Sequence, residues 1–552
     1  MLEIDLSNEK AEEVDLSDYV DFIGGRGLGA VLLREGNPKA EPFSHENSVF
    51  VLTSVLVGIL PAVNRTWVVT ISPLTNTYTC SSAGGYFSYG LRRSGFEVIK
   101  IYGRSDRPVY VEVDDGKVRF HSAEKLWGLG NFMTVSYLKE RHKGEVLSIG
   151  PAGENLVRFA STQFDLHTAG RGGHGAVLGW KRIKAIVVRG KREIRANGEI
   201  KKVSDEILDR IRRMRDWAER GGTLSLTPVV NSAHAYPTDN WRRSHFEFDM
   251  SYGRIRGFVE SNHTCYNCPL RCGKLVKTDF GLVDGPEYEI VWAFGANCNQ
   301  PDIRKIIEAN YLCDDLGLDT INTGSTVAFL KECVERGILD YEIRDISDVI
   351  RKIAMREDIG DLLAEGTRIA AEKIGARDLS VDVMGMNLPA YDPRVLRGMT
   401  FSYILPRFGC HLKAWTAGEE LRMSVEKRIS AKGKAEFALR LAMDRAWIDS
   451  TCVCSFIGIE PKEAAEALSI LGIEFDVKKL REVGRRILRT EIEINEIRGI
   501  RIRDVEFPKR LLEEETEIDG VRVKIGRDEF ERMKEEFCRL IDEVVFDFRK
   551  NA

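Results

Sequence analysis

Apolar and polar positions alternate with a period of two over most of residues 1–195 and recur about every 3.6 residues from about residue 196 onward. Period-two runs at 48–53, 66–71, 98–102, 109–120 and 183–188 predict strands separated by turn signals such as Asp115-Gly116, with short helices at 90–94 and 132–142. Amphipathic helices are then predicted at 204–220, 302–316, 323–336, 347–356 and 359–374, and over long stretches from Lys432. The expected fold class is α+β: a β-rich N-terminal domain over 1–195 followed by two mainly helical domains over 196–380 and 381–552. Gly375, Pro389 and Pro393 punctuate the second boundary. No solenoid repeat or low-complexity linker interrupts the pattern.

A chain of 552 residues with 43% hydrophobic content can bury the cores of two or three domains. Its 81 basic and 85 acidic side chains nearly cancel, and no dense basic block stands out, so a nucleic-acid partner is not expected. The first residues carry Glu3 and Asp5 where a secretory signal would be basic and then apolar. The uncharged stretches 47–64 and 66–91 are broken by Ser, Thr, Gly and Pro, which suits buried strands and loops better than a membrane span. Eleven cysteines, three of them clustered, point to metal binding in a reducing compartment, so a cytoplasmic location is expected. A charged content of 30% with Gln only at 163 and 300 is common in proteins from hot environments.

The clustered cysteines are Cys265, Cys268 and Cys272 in C-Y-N-C-P-L-R-C. Three thiolates are one ligand short, since an iron-sulfur cubane takes four and structural zinc takes four nitrogen or sulfur donors. Cys452 or Cys454 in D-S-T-C-V-C can supply the fourth, and His263 can complete a zinc knuckle; spacing alone leaves both open. The run Gly170-Arg171-Gly172-Gly173-His174-Gly175 invites a dinucleotide reading, but Arg189, Gly190 and Lys191 stand where an acid is expected. Two hexapeptides, Asp314-Asp315-Leu316-Gly317-Leu318-Asp319 and Asp449-Ser450-Thr451-Cys452-Val453-Cys454, share the frame Asp-x-x-x-(Leu/Val)-x.

Taken in order, these pieces resemble the tungsten-containing aldehyde:ferredoxin oxidoreductase family over nearly the whole chain. The signs are R-T-W-V-V-T-I-S-P-L from Arg65, A-G-G-Y-F from Ala83, S-I-G-P-A-G-E-N from Ser148 and A-G-R-G-G-H-G-A-V from Ala169. Then follow Y-P-T-D-N-W from Tyr236, the Cys triplet, G-P-E-Y-E from Gly285, D-D-L-G-L-D from Asp314, Y-D-P-R from Tyr391 and G-C-H-L from Gly409.

The resemblance implies a β base domain carrying two helical domains, with a tungsten bis-pterin and a [4Fe-4S] cluster at the three-domain interface. Asp314 and Asp449 match the paired pterin motifs, and an ionised carboxylate can accept two N–H donors from a pterin edge. Gly317, Leu318, Asp319 and Val453 finish the two motifs. Cys454 becomes the fourth cluster ligand, with Cys452 as the alternative in the place of a usual glycine. The loops Ala83-Gly84-Gly85 and Gly170-Arg171-Gly172 fall to the pterin phosphates, because glycines let main-chain N–H groups approach an anion, and Arg65 is the charged partner. A magnesium ion bridging the phosphates is implied, with Ser82 where the family has Asn and a carbonyl from Thr168 or Ala169.

The implied reaction oxidises a small aldehyde with water and passes electrons to ferredoxin. Glu289 is the expected base, with Glu287 also in frame, and His411 the donor to the substrate oxygen. Cys298 is either an approach to the metal or a plain buried cysteine. Two other functions stand beside this one: the catalytic tungsten subunit of a larger low-potential reductase of the aromatic acyl-thioester type, and a non-catalytic iron-sulfur scaffold. A homodimer is compatible with the family, although no interface signature is visible.

Overall fold

The computed structural model describes residues 1–546. Its first part builds two six-stranded sheets from β1 (Leu2–Asp5), β2 (Lys10–Glu13), β3 (Val49–Leu52), β4 (Thr66–Ile71), β5 (Tyr78–Ala83), β6 (Val98–Tyr102), β7 (Val109–Asp114), β8 (Lys117–Ser122), β9 (Glu145–Ser148), β10 (Thr162–Phe164), β11 (His167–Ala169) and β12 (Ile183–Arg189). The strand orders are β2-β1-β6-β3-β4-β5 and β11-β10-β9-β12-β7-β8. Every residue of β3 and β4 is buried, as their unbroken apolar runs require when both sheet faces are covered. β5 and β11 are edge strands, one from each sheet, and they lie against each other. That junction carries the site.

The second part is mainly helical, as the 3.6 period indicates, with Ile303–Leu316, Thr320–Glu335, Lys434–Ser450 and Val477–Ile497 among its longer members. Three departures from the sequence reading have local causes. The run 109–120 is two strands, because Asp115 and Gly116 both take positive φ in the turn between them. The stretch 359–374 divides into Ile359–Leu363 and Thr367–Lys373 at Gly366, whose φ of 89° stops the first helix. A helix at Gly25–Glu35 escaped notice because it has almost no polar face: Gly25 through Leu33 are all buried. Its glycines allow that, since a Cβ on Gly27 would stand 2.5 Å from Ser450 Oγ and one on Gly29 2.6 Å from Val69 Cγ2.

A small antiparallel sheet also interrupts the helical part, formed by β13 (Val259–His263), β14 (Gly273–Lys277) and β15 (Leu282–Asp284). His263 pairs with Gly273, so Cys265, Cys268 and Cys272 all lie in the connection between β13 and β14. A sheet thus presents the three thiols.

Near the C-terminus, buried Arg510 grips Glu332 with two parallel N–H···O bonds of 2.8 and 2.7 Å, and Asn240 Nδ2 donates to the same carboxylate at 2.6 Å. Removing one member leaves a desolvated charge, so Arg510→Met is expected to destabilise the fold by about 3–5 kcal/mol. A shift of the denaturant midpoint at unchanged m checks this. No helix among the described residues is long and apolar enough to cross a membrane.

Candidate metal and cofactor centre

Asp314 and Asp449 occupy equivalent places. Each lies in the last turn of a long helix, Ile303–Leu316 or Lys434–Ser450. Three residues later the chain turns left-handed, at Gly317 (φ 78°) and Cys452 (φ 63°). The next residue then bridges to the β part, Leu318 to Ala160 and Val453 to Val63. The left-handed turn explains why glycine suits this position; Cys452 adopts it with a side chain, buried beside Gly25. Gly317 has a second reason to be glycine, since a Cβ there would stand 2.8 Å from Gly150 N.

The two acids differ in their partners. Thr168 Oγ1 donates to Asp314 Oδ1 at 2.9 Å and Asn310 Nδ2 to Oδ2 at 3.4 Å. With only neutral donors beside it, burial pushes the Asp314 carboxyl up to about 8. Asp449 instead faces two guanidinium groups, Arg445 at 2.6 Å and Arg26 at 3.2 Å, and Arg26 also binds Glu491 at 2.7 Å.

The four cysteines are gathered by one short strap, residues 62–65. Ala62 N donates to Asn267 O at 2.9 Å and Asn64 Nδ2 to Tyr266 O at 2.9 Å, which anchors the triplet loop. Asn64 and Arg65 donate their N–H groups to Cys452 O at 3.0 and 2.9 Å, and Cys454 N donates to Ala62 O at 2.9 Å, which anchors the second turn. Arg65 Nη2 lies 3.7 Å from Cys454 Sγ. Against the cost of desolvation, the nearby Cys454, Cys265 and Cys272 raise the guanidinium above its ordinary value. The Cys454 thiol thus lies near Arg65 and Cys272, whereas the buried Cys452 thiol packs beside Gly25. Burial pushes the Cys268 thiol up to about 11 and that of Cys272 higher still, the latter also raised by Glu287 and the other three cysteines. Four crowded thiols become thiolates together only when cations neutralise them.

Glycines close around this group. A Cβ on Gly84 would stand 2.6 Å from Cys265 Sγ, and Gly85 O accepts from Tyr266 N at 3.1 Å. Ala83-Gly84-Gly85, read from sequence as a phosphate loop, is therefore pressed against a cysteine of the triplet. Gly84→Ala is expected to displace Cys265 and lower bound iron by about half or more, which metal analysis of the folded variant measures.

In the second glycine run, Gly172 and Gly173 are required by packing, since a Cβ would stand 2.2 Å from Thr79 Oγ1 and 2.1 Å from Arg158 O. A Cβ on Gly170 would meet nothing within 4 Å, so only that glycine fronts open space. Ser82 is half-buried on β5 opposite Trp67, and Ala169 is buried on β11 opposite Thr162. Arg171 is committed elsewhere: its guanidinium reaches Asp319 (3.3 Å), Asn322 (3.0 Å), Gly409 O (3.2 Å) and Asn387 O. Its main-chain N remains near Ser81 Oγ at 3.4 Å. Asp319 also caps its own helix by accepting from Ile321 N at 3.0 Å.

The two glutamates, one residue apart, part company. Glu287 accepts from Thr223 Oγ1 and borders Cys272, on the cysteine side; burial raises its carboxyl. Glu289 accepts from Ala390 N at 3.1 Å, and its Oε1 lies 3.4 Å from His411 Nε2 without hydrogen-bond alignment. Desolvation pushes Glu289 up to about 8 and, with Arg171, Arg407 and Lys413 adding to it, His411 down to about 3. Tyr391 packs on the His411 ring at 5.4 Å. Cys298 is a core cysteine, its Sγ 3.2 Å from both Ala293 O and Gly324 O. His263 turns from the thiols to Asp284 at 2.6 Å, which leaves the zinc knuckle without its fourth ligand.

One residue went unread in the sequence. Arg407 is buried, its charge is felt by both His411 and Cys80, and its Nε and Nη2 have no partner among the described residues. No local pattern marks it, because an arginine two residues before Gly409 looks like any surface cation until its burial is known.

These observations fit a large anionic metal cofactor. The thiols of Cys454, Cys265 and Cys272 stand beside Arg65, and Cys268 lies near the first two. Two helix-end acids lie nearby, and Arg65 Nε, Arg407 Nε, Glu289 Oε1, His411 Nδ1 and Asn310 Oδ1 are buried without partners among the described residues. So many orphaned polar atoms in one region call for a polar ligand.

Known proteins share this architecture. Residues 1–190 match a family model described as aldehyde ferredoxin oxidoreductase, N-terminal domain, and residues 200–542 match its domains 2 and 3. The tungsten-containing aldehyde ferredoxin oxidoreductase of Thermococcus kodakarensis is 35% identical over 92% of this chain and 90% of its own length. That of Pyrococcus furiosus is 35% identical over 92% and 89%. An aliphatic sulfonate oxidoreductase, WOR-like subunit, of Pyrococcus furiosus is 31% identical over 71% of this chain and 68% of its own length. Among solved structures, the active site complex BamBC of benzoyl coenzyme A reductase with 1,5-dienoyl-CoA superimposes with a TM-score of 0.82 at 22% identity, covering 99% of this chain and 93% of that one. The last likeness concerns the fold.

Proposed function

The chain belongs to the aldehyde ferredoxin oxidoreductase family, and from that premise we propose a tungsten oxidoreductase that converts an aldehyde and water to a carboxylic acid, releasing two electrons through a [4Fe-4S] cluster to ferredoxin. The observation that carries the reading is the gathering of Cys265, Cys268, Cys272 and Cys454 beside two helix-end acids of equivalent geometry. When bound, a tungsten bis-pterin supplies a two-electron acceptor, and the cluster an exit for single electrons.

The protein's own part is binding, orientation and proton control. Asp314 and Asp449 would hold the two pterins by accepting N–H donors from their edges. Open space at Gly170, with Ser82 and Ala169 alongside, suits the phosphates and a bridging magnesium ion. Arg65, the last residue of the strap, balances the charge of the thiols it faces. Glu289 offers an unpartnered oxygen to take a proton from water, and His411, kept neutral, donates a ring N–H to the substrate oxygen as it gains charge. Buried Tyr236, Tyr288, Tyr391 and Tyr403 wall this end and keep bulk water from the base.

The test is aldehyde-dependent reduction of a viologen dye by the chain alone, expressed with tungstate. Turnover of at least one aldehyde supports the proposal. Turnover only after separate electron-delivery subunits are added supports the larger low-potential reductase instead, and a protein holding about four irons but no tungsten supports the scaffold.

A further inference from the structure

His167, on the edge strand β11, stands between a cysteine and a carboxylate. Its Nε2 is 3.7 Å from Cys265 Sγ, and its Nδ1 is 3.2 Å from Asp284 Oδ2. Asp284, at the end of β15, accepts from His263 Nε2 through its other oxygen at 2.6 Å. The two imidazoles lie 5.2 Å apart. Glycines make room for both rings: a Cβ on Gly85 would stand 2.8 Å from His167 Cδ2, and one on Gly273 would stand 2.4 Å from His263 Nε2.

The chemistry of the partners fixes the proton count. A carboxylate and a thiolate can only accept, so both nitrogens of His167 carry hydrogen when Cys265 is ionised. The ring is then a cation held by one anion and pointed at another. The ligand atoms of His167, His263 and Asp284 lie within 4.8 Å of one another, but a divalent ion there would have to displace the His263 hydrogen bond and the His167 ion pair that already engage Asp284.

We propose that His167, anchored by Asp284, donates a charge-assisted N–H···S hydrogen bond to the cluster ligand Cys265 and so raises the reduction potential of the cluster. The inference rests on the cluster reading above. Adding an electron makes a cluster more negative, and a donor or positive charge at a ligand sulfur stabilises that reduced form. His167 is thus a positioning and tuning residue. Its hydrogen bond would favour the reduced form of a bound cluster, and no covalent step is involved.

The experiment is an EPR-monitored redox titration of the holoenzyme and of His167→Phe and His167→Gln. The Phe variant, with iron content unchanged, is expected to show a more negative midpoint. The Gln variant, which keeps an N–H donor without the charge, is expected to lie between Phe and wild type. Independently of any variant, wild type labelled with 15N-histidine is expected to show hyperfine coupling from one imidazole nitrogen to the reduced cluster. A wild-type midpoint in an iron-replete Phe variant, or no 15N coupling in wild type, overturns the proposal. A wild-type protein with no reduced-cluster signal at all removes the cluster reading itself, a failure recognisable before any variant is made.

Discussion

Replacing Glu289 by Gln lowers aldehyde oxidation by about 10²–10⁴-fold while tungsten and iron contents stay at wild-type values. The carboxyl is buried, one oxygen is fixed by Ala390 N, and the other has no aligned partner among the described residues. Nothing in the core depends on that second oxygen, so the amide fits and only the proton acceptor is lost. Desolvation holds the group up to about 8, so at lower pH it is mostly protonated and cannot act as a base. Activity should therefore rise with pH through about 8, and the rise should vanish in Glu289→Gln. His411, driven to about 3, stays neutral across that window and adds no limb of its own. Glu287→Gln should leave the limb in place, since that carboxyl borders Cys272 and not His411.

Replacing Cys454 by Ser removes the fourth thiolate, and bound iron should fall from about four per chain to about three or fewer, with electron delivery to ferredoxin lost. Cys452→Ser should keep the iron. The two cysteines share a turn, but Arg65 lies against Cys454 at 3.7 Å, while Cys452 is buried in the core beside Gly25. Burial also holds the Cys452 thiol high, the state of an inert core cysteine. Iron analysis together with the EPR spectrum of the reduced protein reads both outcomes.

Much of the fold was legible because the two hydrophobic periods differ so clearly. β4 and β6 fall on the predicted runs, and the helices Ile303–Leu316 and Ile346–Met355 within a residue of theirs. The helix Gly25–Glu35 was illegible for the opposite reason, since Gly25 through Leu33 are all buried and glycines take the places where a surface helix would show polar residues. The sheet β13 to β15 was hidden by its short, mostly polar strands, among which Val259–His263 holds a single apolar residue. At the site, the paired frame of Asp314 and Asp449 was visible as a faint echo, and its cause is geometric: each turn needs an acid at a helix end, a left-handed residue and a bridging apolar one. Partners brought from distant segments could not be read, among them Arg26 and Arg445 on Asp449, the commitment of Arg171 to Asp319, and the buried charge of Arg407.

The central claim is that widely separated segments close on one tungsten and iron-sulfur unit, and quantitative metal and pterin analysis of protein expressed with tungstate tests it most directly. Such protein should hold one tungsten, two pterins and about four irons per chain. Zinc in place of iron, or iron without tungsten and pterin, would contradict it.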